Sequence, residues 1–188
     1  MKKVFLFAGT SFSNYQYNRQ MIQYLLDALI CMDLGLMTYG YEGGPVGDIL
    51  NFAEKKRVKL ISIYCNEMRH RHVRSRKFSE LQLQCNNLIE QKDLIFSQSD
   101  MMILLPGSDI EAQTDFLLMR QFMIYKNQLK PMAVYNVANS YEHFSELLKM
   151  NEPFPYEDLD SKLIIESNPW KIILRITELS QRLICAKH

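Results

Sequence analysis

The chain has 188 residues, 47% of them hydrophobic and 23% charged, with a formal net charge of +1. This is the composition of an ordinary globular protein, long enough to bury one full core and too near neutrality to carry an overall field toward nucleic acid or a membrane surface. Four cysteines with no C-x-x-C pair (Cys31, Cys65, Cys85, Cys185) speak against a disulfide framework or a zinc site and read as reduced, mostly buried thiols.

In chain order, "KKVFLFAG" opens as a strand ending in glycine. Its apolar run is too short for a secretory signal, and no stretch reaches the length of a membrane span, so a cytoplasmic location is expected. Tyr17, Met21, Tyr24, Leu25, Ala28, Leu29 and Met32 then recur at helical spacing. "LGLMTYG" is a second strand, "VGDILNFAEKK" a helix and "RVKLISIYC" a third strand. After the polar stretch "NEMRHRHVRSRKF", a long helix is expected from Ser79 to Gln98. "MMILLPG" is the fourth strand, followed by a helix from Glu111 to Asn127. "KPMAVYN" is the fifth strand, "YEHFSELLKM" a helix with His143 on its surface, "KLIIES" the sixth strand, and "WKIILRITELSQRLICAK" the closing helix. "NEPFPYEDLDSK" is a surface loop too short to separate domains. Nearly continuous apolar strands separated by helices imply an α/β fold, doubly wound, with a mostly parallel sheet of about six strands and helices on both faces, forming one domain over residues 1–188.

In such a fold ligands bind beyond the carboxyl ends of the strands, where loops meet helix N-termini. After the first strand, Gly9 permits close backbone approach, while Thr10 and Ser11 offer hydroxyls to a phosphate or to a helix cap. After the second, Gly40, Gly43, Gly44 and Gly47 supply four of the seven glycines just before a helix, an arrangement suited to an anion or to a tight turn. The dinucleotide fingerprint G-x-G-x-x-G is absent from the first loop, and no cofactor is implied. The basic run with Arg69, Arg71, Arg74 and Arg76 reads as a solvated surface, or as a source of one arginine folded over the site. Nucleic acid is a poorer fit because Tyr64 and Phe78 alone make no stacking platform. His70 and His72 do not share a helical face, so no metal site is read.

The order and spacing of "FAGTS", "MTYG…GGPVG" and "LLPG", continuing through "KPMAVYN" and the closing helix, resemble the Lonely Guy family, the so-called lysine-decarboxylase-like proteins. The resemblance implies a Rossmann-like fold, a homodimer, and hydrolysis of the N-glycosidic bond of nucleoside 5′-monophosphates, cytokinin precursors among them, to free base and ribose 5-phosphate. The family's PGGxGTxxE falls on Pro106 to Thr114, where Pro106 and Gly107 match but Ser108, Ile110, Glu111 and Thr114 depart from it. A one-residue insertion, suggested by the spacing to Lys130 and Pro131, brings Asp115 to the position of the glutamate. The family's MxxRK falls on Leu88 to Lys92, keeping Lys92 and replacing the arginine by Gln91.

The resemblance therefore marks Asp115, Gln91 and Glu111 as the catalytic positions. It marks Gly9, Thr10, Ser11, Gly43, Gly44, Gly47, Gly107 and Ser108 as the residues that hold a phosphorylated small molecule such as a nucleoside monophosphate. Cleaving an N-glycosidic bond builds positive charge on the sugar, which a fixed carboxylate stabilises. Aspartate is shorter than glutamate by about one carbon–carbon bond, ~1.5 Å, and neutral glutamine cannot form an arginine fork. Glu111 opposes a phosphate unless it turns outward to cap the helix. A weakened phosphoribohydrolase, a nucleotide-binding module without turnover and a purely structural partner all remain open. Apolar residues Leu81, Cys85, Leu88, Ile89 and Ile95, with Phe116, Leu117, Met119, Phe122 and Met123, suggest two helices that pair a homodimer.

Overall fold

The computed structural model describes residues 1–9, 15–68, 80–128, 130–141, 144 and 163–185. Thr10, Ser11, the arginines at 69, 71, 74 and 76, His143, most of the helix expected over 141–150 and the loop 151–162 lie outside these residues.

Among the described residues the strands are β1 (Lys3–Phe7), β2 (Gly35–Tyr39), β3 (Leu60–Cys65), β4 (Glu80–Cys85), β5 (Met101–Leu104), β6 (Met132–Tyr135) and β7 (Leu163–Glu166). The α-helices are α1 (Tyr15–Cys31), α2 (Gly44–Lys56), α3 (Leu88–Gln98), α4 (Ile110–Tyr125) and α5 (Pro169–Cys185). All seven strands form one sheet in the order β4-β3-β2-β1-β5-β6-β7, and every pairing is parallel. The chain winds outward from β1 to β4, returns to the other side of β1 as β5, and winds outward again to β7. Because parallel crossovers are right-handed, this reversal sends α1 and α2 to one face and α3 and α4 to the other. Accordingly α1 packs against α2 and α5, while α3 packs against α4. The fold is doubly wound α/β with a Rossmann-like sheet, and its switch point lies between β1 and β5.

Seven strands replace the expected six because residues 80–85 are not helical. Glu80, Leu81, Gln82, Leu83, Gln84 and Cys85 alternate polar and apolar with period two, which suits a strand with one face covered. They pair in register with Leu60 to Cys65 at the sheet edge. Helix α3 starts only after Asn87, whose side chain accepts from the Glu90 N–H, while Glu90 reaches back to the Asn86 N–H at 2.7 Å. This reciprocal cap is a helix-start signal that the sequence reading passed over. Leu81 and Cys85 therefore belong to β4 rather than to a dimer-forming helix.

β1 sits at the centre of the sheet, with Val4 to Phe7 fully buried. In α1 the buried stripe is Asn18, Ile22, Leu25, Leu26, Ala28 and Leu29, whereas Tyr17, Tyr24 and, just past the helix end, Met32 are exposed. The apolar residues fit two helical faces about one position apart, and packing against the sheet selects the more aliphatic one. Edge-to-face contacts of Phe7 with Tyr39 and with Phe116, centroids 6.3 and 5.4 Å apart, tie β1 to β2 and to α4.

Of the cysteines, Cys31 is exposed while Cys65 and Cys85, register neighbours on β3 and β4, are buried. Burial, then the adjacent Cys65 thiol, then the Glu90 and Glu67 carboxylates, push the Cys85 thiol up to about 12. The thiolate is the form that alkylates. Brief treatment of the native protein with iodoacetamide at pH 8 is expected to modify Cys31 and to spare Cys65 and Cys85, as read by peptide mass spectrometry; unfolding in urea exposes all three.

Candidate functional site

At the switch point, the ends of β1, β2 and β5 and the N-termini of α3 and α4 enclose a cleft of about 220 Å³. Gly9, Tyr39, Tyr41, Leu88, Gln91 and Asp109 to Ala112 contribute to its lining, together with Thr114 and Asp115.

The loop from Leu105 to Asp109 is held by its own groups. Gly107 has φ 68, a left-handed conformation that glycine adopts without strain. The Ser108 hydroxyl donates to the Leu105 carbonyl at 2.8 Å, the Tyr141 hydroxyl donates to the same carbonyl, and the Ser108 N–H donates to the Tyr141 oxygen at 3.1 Å. Burial pushes the Tyr141 phenol up to about 12, so it stays a neutral donor and acceptor. Gly107 and Ser108 are both buried. The Ser108 N–H, a candidate phosphate donor, is engaged within the protein.

The start of α4 is occupied in the same way. Asp109 is its N-cap and accepts from the Ala112 N–H at 3.1 Å. Its carboxyl group lies so close over Gly9 that a Cβ there would overlap all three of its outer atoms. What approaches the Gly9 backbone is thus an internal carboxylate, at the helix end where the dipole favours an anion. Glu111, one residue into α4, is exposed.

The α2 start offers a smaller anion seat than its glycine count suggests. Pro45 has no N–H, Val46 donates to Gly9 O at 3.4 Å, and Gly47 donates to Gly43 O at 2.8 Å as the helix's first internal bond. Gly43 (φ 97) and Gly44 (φ 51) form the left-handed entry to this helix. The bond from Val46 to Gly9 brings that entry alongside the end of β1.

Asp115 and Thr114 behave differently. Thr114 is exposed and returns its hydroxyl to Ile110 O at 2.7 Å. Asp115 accepts from Lys92 Nζ at 2.6 Å on Oδ1 and from the Tyr39 hydroxyl at 2.7 Å on Oδ2. Lys92 is 8% exposed and Tyr39 4%. Beside Lys92 on α3, Gln91 is 1% exposed in the cleft wall, and its Nε2 has no hydrogen-bond partner. Tyr41 closes the far side, its hydroxyl accepting the Cys65 N–H at 2.9 Å.

The expected residues Gly9, Gln91, Glu111 and Asp115 meet in this cleft, Gly107 and Ser108 lie beneath it, and Gly43 and Gly44 stand beside it. Tyr39, Tyr41, Asp109 and Tyr141 were not anticipated from sequence. A D-x-x-A step into a helix is a legible cap signal for Asp109. The tyrosines carry no local signal, since their roles come from strands and loops distant in sequence.

Fold and site together define a Rossmann-like α/β protein with a small cleft at its switch point. Neither a protein-family model nor a curated protein matches the chain. Among solved structures, the molybdenum cofactor carrier protein of Chlamydomonas reinhardtii shares the fold at TM-score 0.65 and 11% identity, over 95% of this chain and 97% of that one. The molybdenum cofactor binding protein of the phototrophic bacterium Rippkaea orientalis does so at TM-score 0.60 and 17% identity, over 97% and 95%. A structural-genomics target is similar at TM-score 0.66 and 12% identity, over 95% and 99%. At these identities the likeness is one of fold. No helix among the described residues is long and apolar enough to cross a membrane.

The contact between Asp109 and Gly9 makes a double-mutant prediction. Gly9→Ala is expected to destabilise by about 1–3 kcal/mol through overpacking, and Asp109→Ala by about 1 kcal/mol through loss of the cap. In the Asp109→Ala background most of the cost of Gly9→Ala disappears, which urea denaturation of the four proteins measures.

Proposed function

We propose that this protein binds a small phosphorylated ligand, a nucleoside monophosphate in the first instance, with the ring in the switch-point cleft and the phosphate toward Gly43 and Gly44, and holds it with little or no turnover. The observation that carries this reading is the state of Asp115. One of its oxygens is ion-paired with Lys92 and the other accepts from Tyr39. A carboxylate matched to an ammonium at 2.6 Å offers less to a developing oxocarbenium charge than an unpaired one. The position of the family's arginine is the neutral Gln91, which cannot clamp a phosphate. Glycosidic hydrolysis by Asp115, with Glu111 nearby, is the alternative, and these features favour it less.

The solved neighbours support binding over hydrolysis. Two are a carrier protein and a binding protein of the molybdenum cofactor, and the match extends over nearly the whole of each chain. A cofactor of that kind is accordingly the second reading of the same cleft.

Incubation of the purified protein with nucleoside monophosphates, with chromatography for released base, separates the readings. The expected result is a rise in melting temperature with monophosphates and not with the matching nucleosides. Base release is expected to be slower than in a motif-complete Lonely Guy protein by about two to four orders of magnitude, or about 3–6 kcal/mol of transition-state stabilisation. A full family rate that survives Asp115→Asn would assign the chemistry to another group.

The mouth of the cleft supports self-association. Leu88 and Ile110 line it while 41% and 73% exposed, and Ile89 beside them is 73% exposed. A second copy covering these residues would remove from water an apolar rim that is costly to leave solvated. Light scattering at micromolar concentration is expected to give twice the chain mass of 22.2 kDa, and Ile89→Lys to shift it toward the monomer.

A further inference from the structure

We propose that the cleft selects the 2-amino-4-oxopyrimidine edge, the hydrogen-bonding face common to guanine and to pterins. Asp115 accepts its two adjacent N–H groups and Gln91 donates to its carbonyl oxygen. The proposal rests on the reading of the cleft as a ring-binding site.

Gln91 supplies the first observation. Its side chain is almost wholly buried, it lines the cleft, and its Nε2 lacks an acceptor. Buried amide groups are paired in nearly all folded proteins because an unmade hydrogen bond costs the whole desolvation of the group. Among the described residues none satisfies this nitrogen, which is itself closed to solvent. Carboxamide nitrogen and oxygen are nearly isosteric, so rotation about the terminal bond exchanges them without moving the helix, and the donor so turned to the cleft side can give to a ligand carbonyl or ring nitrogen.

Asp115 supplies the second. A carboxylate oxygen has two acceptor directions, and the protein fills one on each: Lys92 on Oδ1, Tyr39 on Oδ2. These two donors fix the plane of the carboxylate. Each oxygen keeps room for one further donor, and two neighbouring N–H groups on a ring fill both. Any further partner of Asp115 must therefore donate.

Ring chemistry then decides. Guanine presents N1–H and the 2-amino group side by side with O6 next to them, and a pterin presents the same sequence as N3–H, 2-amino and O4. Two donations to Asp115 and one acceptance from Gln91 satisfy every group on that edge. Adenine offers one amino donor beside the acceptor N1 and leaves one Asp115 oxygen unmet. Uracil offers one N–H flanked by carbonyls, one of which faces the carboxylate. Unpaired polar groups of this kind are what make hydrogen-bonding sites discriminate strongly. At about 220 Å³ the cleft accommodates a bicyclic ring. Tyr39, Tyr41, Met68 and Leu88 give it largely apolar walls.

The test is calorimetric titration of the wild type, Gln91→Met and Asp115→Asn with GMP, AMP, UMP, xanthosine monophosphate and neopterin monophosphate, alongside melting of each free protein. The wild type is expected to bind GMP and neopterin monophosphate at least about tenfold more tightly than AMP or UMP. Gln91→Met should raise the melting temperature of the free protein, because the unpaired donor is gone, yet weaken GMP about tenfold. Loss of a merely structural residue would lower both. Asp115→Asn offers one acceptor and one donor in place of two acceptors, so its preference should move from GMP to xanthosine monophosphate. Equal affinity of the wild type for GMP and AMP overturns the edge selectivity and leaves ring binding standing. Binding of none of the nucleotides or neopterin monophosphate overturns both. Should Asp115→Asn fail to fold, the opposite signs expected for Gln91→Met still decide the matter.

Discussion

The carboxyl group of Asp109 lies against the backbone of Gly9 while capping α4 through the Ala112 N–H, and much of the site follows from that placement. It joins the end of the central strand to the first turn of the helix that crosses over it. With the helix start fixed there, Asp115 lies one and a half turns on, facing α3 and the end of β2, where Lys92 and Tyr39 reach its two oxygens. Gly9 is required because no side chain fits under the carboxylate. The same contact fills the favourable electrostatic position at the α4 end with a covalent part of the protein, so an external anion has to seek the α2 start.

The polar groups around the cleft are mostly matched to one another. Leu105 O receives both the Ser108 and Tyr141 hydroxyls, Ser108 N–H goes to Tyr141, and Gln113 donates to Ser108 O. Such a closed network rigidifies the loop after β5 and withdraws it from ligand contact. Lys92 and Asp115 form a partly buried pair, with side chains 10% and 25% exposed. Pairs of this kind contribute more to geometry than to stability, since desolvation offsets much of the attraction. Against this background of satisfied groups the Gln91 nitrogen stands out, and with its place in the wall it is what the proposed recognition of a ring rests on.

The same comparison is what favours the proposed binding over bond cleavage. A phosphoribohydrolase needs a carboxylate free to face the sugar and a cation free to hold phosphate. Among the described residues the cleft carboxylate and the Lys92 ammonium neutralise each other, and the Ser108 donors are internally bonded. A ring can still bind, because hydrogen bonding to a heterocycle needs fixed directions and not net charge.

The sequence by itself determined the parallel α/β architecture, because strands buried on both faces must be continuously apolar and helices must repeat at three to four residues. It also brought Gly9, Gln91, Asp115 and the loop at Pro106 and Gly107 to one end of the sheet, since in a doubly wound fold the strand ends share that edge. Residues 80–85 were misread because six alternating residues lie directly before a helix, and pairing with β3, a contact distant in sequence, makes them a strand. Which of positions 114 and 115 takes the place of the family's glutamate was open in the sequence. Both line the cleft, but Thr114 turns its hydroxyl back to its own helix while Asp115 meets Lys92 and Tyr39. The partners of Asp115 come from β2 and α3, and the lock on Ser108 comes from Tyr141. These contacts are between residues far apart in sequence whose meeting depends on how the layers pack, so only the tertiary structure could decide which groups are spent within the protein and which remain for a ligand.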